Sequence, residues 1–322
     1  MAAAGENPLT ARRMHGSRPV AVSATLQYLL FAGMAAALQR LPLTMVRRLA
    51  LIFADALFFL VPIRKKLTMD QLRAAFPSMD DRTVRATARA STRNLILTLF
   101  ELMWTPRLND DIIAREVRLQ NKDVITGAVR RGHGLIFMSG HFGNWEWLSI
   151  CSSRILGMSH LAIVHPLHNP GVDRLVEGYR SRFGARLVPM GLAIRDIIRT
   201  LRDRGIVAIL GDQSGPSNAV FVPFFGRPAA TYEGPAAFAL RAGAPIVMTY
   251  MLRQPDGSYD ILAEEIPTED LDGATEANIR ELTRRHVRAL ERMIAQRPGD
   301  WLWQHKRWKH VPPDPSCVVQ DP

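Results

Sequence analysis

The densest group of reactive side chains in the sequence is the run His141-Phe142-Gly143-Asn144-Trp145-Glu146. A histidine close to a carboxylate suits general-base chemistry: the carboxylate holds one imidazole nitrogen while the other takes a proton from a hydroxyl. Five residues of separation would place the two side chains roughly 140° apart on a straight helix, so a His141–Glu146 pair requires a bend. Gly140 and Gly143 permit a tight turn, and Asn144 is a good helix N-cap. The expectation is therefore a turn carrying His141, followed by a helix with Glu146 in its first turn and backbone N–H groups able to stabilise negative charge. A histidine in a glycine-rich turn is as often a cap or a satisfied polar group, and residue types alone leave that alternative open.

Other chemistries lack their residues. Cys151 and Cys317 are the two cysteines and neither belongs to a CxxC pair, so neither a disulfide framework nor a zinc site is indicated. No HExxH is present, no carboxylate or histidine recurs near His141 at ligand spacing, and GxSxG, P-loop and GxGxxG patterns are missing. No metal is expected.

The elements that must position the turn follow from the hydrophobic pattern. Short apolar runs at 135–138, 161–164, 187–188, 206–210, 220–222 and 246–250 read as strands. Helical stretches at about 144–156, 171–183, 192–204, 233–242 and 275–296 alternate with them, and a long amphipathic helix is predicted over 80–104. This alternation predicts an α/β fold, a mixed central sheet flanked by helices, with ligands beyond the carboxyl ends of the strands. Asp212 ends one such strand, which puts it on the same sheet edge as His141; it is a candidate for binding substrate hydroxyls, or a turn-capping aspartate. Arg227 falls in a loop after Phe224-Phe225-Gly226, where it could meet a phosphate or another acidic group. The arginine-rich stretch 195–204 reads as the solvated face of a helix.

With 322 residues and 47% hydrophobic content, the chain can build one large domain. Its formal charge of +11, from 41 basic against 30 acidic residues, favours an acidic partner such as anionic lipid headgroups. Nucleic acid fits less well, because aromatic and basic residues gather in the tail WLWQHKRWKH (301–310) rather than along a strand surface. That tail suits a membrane interface, or a packed C-terminal element. The runs 26–38 (LQYLLFAGMAAAL) and 49–62 (LALIFADALFFLVP) are apolar but shorter than the roughly 20 residues of a spanning helix, and are flanked by arginine and lysine. They read as membrane-associated helices; buried core helices, or a tilted span over 20–43, are the alternatives. A signal peptide is disfavoured, since the basic cluster of Arg12, Arg13 and Arg18 leads to no convincing cleavage site. The expected organisation is a flexible N-terminus (1–22), membrane-associated helices (23–66), a catalytic domain (67–310) and a flexible tail (311–322).

At this level HFGNWE resembles the HxxxxE form of the HxxxxD/E motif of glycerolipid acyltransferases, within the lysophospholipid acyltransferase superfamily. Arg93-Asn94-Leu95, PGVDRLVEGYRSRF (170–183), Gly211-Asp212-Gln213, FVPFFGRPAA (221–230), GPAAFALRAGAP (234–245) and WLWQHKRWK (301–309) extend the likeness, in order and spacing, to the late (lauroyl and myristoyl) acyltransferases of lipid A biosynthesis. The resemblance implies a glycerolipid acyltransferase-like fold and an O-acyltransferase with His141 and Glu146 as its catalytic pair. It also implies an acyl carrier protein thioester, or acyl-CoA, as donor, a glycolipid acceptor, no cofactor, and a site on the cytoplasmic face of the inner membrane. Asn144, His165, Asp212, Gln213, Arg227 and Glu233 are the substrate-binding candidates, Glu233 only through a faint likeness of Glu233-Gly234 to an acceptor block. One departure stands out: His165 occupies the place where the family usually has arginine before Pro166. It keeps other acceptors open, such as a phospholipid, a mannoside glycolipid or an aminolipid; a lipid-binding protein without catalysis is a reading of another class.

Overall fold

The protein is described by a computed structural model covering residues 17–61, 64–314 and 318–319. The N-terminal part is helical: α1 (Ser17–Leu38), α2 (Leu43–Leu60), α3 (Lys65–Ala75), α4 (Asp81–Trp104) and α5 (Asp110–Glu116). Asp80 starts α4 by accepting the Thr83 N–H, as its position before the amphipathic run predicts. There follow β1 (Val117–Leu119), α6 (Lys122–Arg130), β2 (Leu135–Ser139), α7 (Trp145–Leu156), β3 (His160–Val164), α8 (Pro170–Arg180) and β4 (Arg186–Pro189). The remainder is α9 (Ile194–Arg202), β5 (Ile206–Leu210), β6 (Val220–Phe224), β7 (Arg227–Thr231), α10 (Gly234–Ala242), β8 (Ile246–Arg253), β9 (Tyr259–Glu265) and α11 (Glu276–Gln296).

Seven strands form a mixed sheet in the order β1-β9-β8-β2-β5-β3-β4. β8, β2, β5, β3 and β4 run parallel, while β9 is antiparallel to β8 and parallel to β1. Alternate residues of β2 serve opposite layers: Ile136 and Met138 pack toward α9, α10 and α11, Leu135 and Phe137 toward α4, α6 and α7. Burial on both faces explains why β2, β5 and β8 read as continuous apolar runs.

The predicted α/β architecture is thus present, with three added strands (β1, β7 and β9), the added helices α3, α5 and α6, and one displaced strand, β6. β9 (YDILAEE) buries Tyr259, Ile261 and Ala263 on alternate positions and leaves Asp260, Leu262 and Glu264 on the other face, too mixed a pattern to read as a core strand. β1 is only three residues long. β6 lies outside the main sheet, paired antiparallel with β7. Phe225 and Gly226 both have positive φ (51° and 66°), which closes a tight hairpin and places Arg227 at the start of a strand rather than in a loop.

Residues 1–16, including Arg12 and Arg13, lie outside the described residues; α1 already begins at Ser17, before the expected boundary at 23. Among the described residues no helix is long and apolar enough to cross a membrane. α1 and α2 bury Ala35, Leu38, Val46, Ala50, Ala54 and Phe58 in the core shared with α4, yet expose Leu29, Leu30, Ile52, Phe53, Phe59 and Leu60. In the tail, Trp301 and Trp303 are core residues and Arg307 is buried. The packed element, not an interfacial belt, is what that sequence forms, because Trp301 interlocks edge-to-face with Trp303 and Phe224, and Trp303 packs at a tilt on Phe225. Phe221, Val222 and Phe224 are likewise core, on the β6–β7 hairpin.

Candidate active site

β2 and β5 pair in parallel with Ser139 opposite Leu210, so two residues further along each strand His141 and Asp212 emerge side by side from the carboxyl edge. Gly140 lies between them, and a side chain there would begin 3.1 Å from the Asp212 carboxylate. The turn is then fixed from several directions. Gly143 has φ +59°, and its backbone lies so close to β8 that a Cβ would sit 1.7 Å from the Met251 carbonyl oxygen. The Gly143 carbonyl accepts from Asn94 Nδ2 (3.0 Å) and Thr98 Oγ1 (3.1 Å) of α4, and Leu302 N–H donates to the His141 carbonyl (3.0 Å).

The imidazole of His141 is oriented by Asp212. Nδ1 lies 2.8 Å from Asp212 Oδ1, while Oδ2 accepts from the His141 backbone N–H (2.8 Å) and from Trp301 Nε1 (2.8 Å). Asp212 is buried, which by itself would raise its pKa; the facing imidazole and the hydrogen bonds hold it down at about 2. Burial would lower the His141 pKa, but Asp212 first and Glu146 second outweigh burial and the nearby Arg180 charge, and raise it above the ordinary 6.5. An ionised Asp212 selects the tautomer with its proton on Nδ1 and leaves the Nε2 lone pair free. Nε2 faces Gln213, whose amide nitrogen is 3.4 Å away, and the His141 side chain is 19% exposed.

Glu146 does not hold the imidazole. The expected bend is there, with Glu146 in the first turn of α7, but its carboxylate makes a two-pronged pair with Arg180 of α8 (2.8 and 2.7 Å). A guanidinium matches both carboxylate oxygens at once, whereas the imidazole is already engaged by Asp212. Glu146 therefore acts on His141 through space, beside the compensating charge of Arg180. Arg180 lies inside the stretch 170–183 and could have been flagged only by knowing that α8 packs on α7.

The remaining candidates separate. Asn144 is wholly buried: Oδ1 caps α7 through the Trp147 N–H (2.9 Å) and Nδ2 donates to Glu101 (2.8 Å) and the Tyr259 hydroxyl (3.3 Å), so it has no group left for a substrate. Asp212, expected to bind hydroxyls, is occupied by His141 and Trp301. Gln213 is half-buried at the site. His165 is exposed on the same sheet edge beyond β3, its Nδ1 donating to the Pro166 carbonyl (3.1 Å). Arg227 lies over the Trp308 ring at 5.2 Å, and Glu233 precedes α10 facing Arg280 and Glu276; neither meets His141. No group of metal-ligating side chains occurs among the described residues.

A cleft of about 360 Å³ opens beside Gln213, with walls of Leu57 and Phe58 from α2, Val61 just after it, Leu95 from α4, and Leu302. Gln213 and His305 contribute its polar part, and Arg64 and Lys65 further charge. His305 was not anticipated; its Nε2 accepts the Ser214 N–H (3.1 Å), which ties the C-terminal segment to the residues following Asp212.

Comparison with known proteins identifies the family. The family described as bacterial lipid A biosynthesis acyltransferase matches residues 14–310. Relatives include the lipid A biosynthesis lauroyltransferase of Escherichia coli (strain K12), 25% identical, covering 77% of this chain and 80% of that protein. The phosphatidylinositol mannoside acyltransferase of Mycolicibacterium smegmatis is 20% identical over 68% of this chain and 71% of its own length. With a family match that spans residues 14–310, the chain belongs to the bacterial lipid A biosynthesis acyltransferases, enzymes that transfer an acyl group from a donor to a lipid acceptor.

Proposed function

We propose that the protein transfers a fatty acyl group from an acyl carrier protein thioester, or acyl-CoA, to a hydroxyl of a lipid A precursor, with His141 as general base. The observation carrying this reading is the 2.8 Å contact of His141 Nδ1 with Asp212, which leaves Nε2 facing Gln213, a residue that lines the apolar cleft. Nε2 removes the acceptor proton as the hydroxyl oxygen attacks the thioester carbonyl; the C–S bond then breaks, and the thiolate takes the proton back from the imidazolium. Asp212 stabilises the imidazolium that forms between these steps. The role expected of Glu146 passes to positioning: paired with Arg180, it adds negative potential at His141 while keeping α7 and α8 in register. The aliphatic walls of the cleft suit an acyl chain, and Arg64 and Lys65 suit a phosphate of the donor or the acceptor.

Purified protein incubated with acyl carrier thioester and a panel of acceptors, with products identified by mass spectrometry, tests the reading. His141→Ala is expected to lower turnover by about 10² to 10⁴ while leaving the fold intact; an unchanged rate removes His141 from its role. A mannoside acceptor is a second reading, favoured by the Mycolicibacterium relative and by His165 in place of the expected arginine. Acyl transfer to mannosides and not to glucosamine lipids would establish it. Lipid binding without thioester consumption would favour a protein that binds lipid and does not catalyse. The positive charge and the exposed apolar residues of α1 and α2 support a position at the cytoplasmic face of the inner membrane.

A further inference from the structure

β4 leaves the sheet at the edge that carries His141, because β2, β5, β3 and β4 all run parallel. The chain there makes a single helical turn, Met190–Leu192, and enters α9. Ala193, Ile197 and Leu201 hold this segment to the core. On its outer side Leu192 is 76% and Ile194 60% exposed, with Met190 and Ile198 also open to solvent. Ile194 and Ile198 stand one turn apart on one face, and Arg195, Arg199 and Arg202 form the adjacent stripe. These three arginines are exposed, and none has a carboxylate partner in ion-pair range among the described residues; Asp196 is taken by Arg186 at 3.3 Å.

Large aliphatic side chains beside unpaired arginines make a pattern that fits the boundary between lipid headgroups and acyl chains. The same edge carries exposed Leu167 after β3 and Leu210 at the end of β5. α1 reaches it too, since Asn169 Nδ2 donates to the Ala24 carbonyl (2.7 Å), and the neighbouring Leu26, Leu29 and Leu30 are exposed.

We propose that Met190–Leu192 and the exposed face of α9 are a second bilayer contact, separate in sequence from α1 and α2. Its aliphatic side chains enter the acyl boundary of an anionic membrane, and Arg195, Arg199 and Arg202 meet lipid phosphates. The proposal rests on the reading of the protein as a lipid acyltransferase and adds a consequence: the carboxyl edge of the sheet faces the membrane, so an acceptor reaches His141 by lateral movement within the bilayer. An acidic carrier protein would pair with the arginines but would leave the aliphatic stripe uncovered.

The test uses the full chain with Cys317→Ser; Cys151 is buried, its thiol pushed up to about 12, and stays unlabelled. An environment-sensitive fluorophore is attached at Leu192→Cys or, as a reference on α1, at Leu30→Cys. Vesicles of phosphatidylglycerol and phosphatidylcholine in equal parts should shift both probes to the blue and expose both to quenching by acyl-chain spin labels. Each of Arg195→Gln and Arg199→Gln should weaken vesicle binding about fivefold at low salt. Leu192→Asp with Ile194→Asp should cut transfer to a vesicle-embedded acceptor at least tenfold and leave transfer in detergent micelles unchanged. A probe at 192 that stays in water while the probe at 30 inserts overturns the proposal, as does a probe that answers to acyl carrier protein and not to vesicles. If the parent protein transfers nothing in detergent, the acyltransferase reading fails instead, and the probes still decide whether this face meets lipid.

Discussion

The residue on which the chemistry turns is His141, and its behaviour is set by Asp212. The folded pKa of His141 lies above 6.5, so a base that must be neutral gains its activity as pH rises through a value higher than that of a free imidazole. Replacing Asp212 by asparagine removes the negative charge that does most to raise it. We expect Asp212→Asn to move the acidic limb of the pH–rate profile to lower pH, and to lower maximal turnover on the order of 10²-fold or more, because the tautomer is no longer fixed. A profile displaced upward, or not displaced, would show that Asp212 does not govern the imidazole. Glu146→Gln also removes negative charge near His141, but as a smaller influence, and it leaves Arg180 without its partner. The sequence made both carboxylates visible as candidates. Which of them reached the histidine depended on β2 and β5 being neighbours, a fact that no local pattern encodes.

Among the elements, the turn between β2 and α7 is the most constrained. Gly143 and Gly157 both have positive φ, at the start and the end of α7. A side chain at Gly157 would meet nothing within 4 Å, whereas one at Gly143 would collide with the Met251 carbonyl. Gly157→Ala should therefore cost about 1–2 kcal/mol, the strain of a left-handed residue alone. Gly143→Ala should cost more than about 3 kcal/mol and reduce activity as well, since His141 lies in the displaced turn. Urea unfolding of the two variants checks the contrast; equal losses would mean that the close approach to β8 is not rigid. Gly143 was legible in the sequence as a turn glycine, yet the reason it must be glycine lies in a strand more than a hundred residues away.

At the scale of the whole molecule, one buried charge joins the helical layer to the sheet. Glu101 of α4 has no solvent exposure and binds Arg47 of α2 (2.7 Å), Arg253 of β8 (2.9 and 2.7 Å) and the Tyr259 hydroxyl of β9 (2.5 Å). It also receives Asn144 Nδ2, which connects it to the cap of α7 beside the site. Burial would raise its pKa, but Arg253 and Arg47 hold it at about 2 against an ordinary 4.5. Its contribution to stability is thus present above pH 4.5 and lost as pH falls toward 2. Glu101→Gln takes the paired carboxylate from the buried Arg253 and leaves Arg47 only Glu116 (2.9 Å), and should destabilise the fold by about 3–5 kcal/mol at neutral pH. The difference from the parent, followed by urea unfolding, should shrink as pH is lowered through that window; a constant difference would show that the charge of Glu101 is not what matters.

By itself the sequence determined the α/β class, the positions of the long helices, the apolar core strands and the turn that holds His141. Each of these follows from local physics: hydrophobic periodicity, helix caps, and glycines where the backbone must bend. Only the tertiary structure decided that Asp212 holds the imidazole while Glu146 pairs with Arg180, that Asn144 serves the Glu101 network, and that Trp301 and Trp303 of the tail lie in the core. Those outcomes depend on which strands are neighbours and which helix faces meet. Such contacts join residues far apart in the chain, and no short pattern of residues records them.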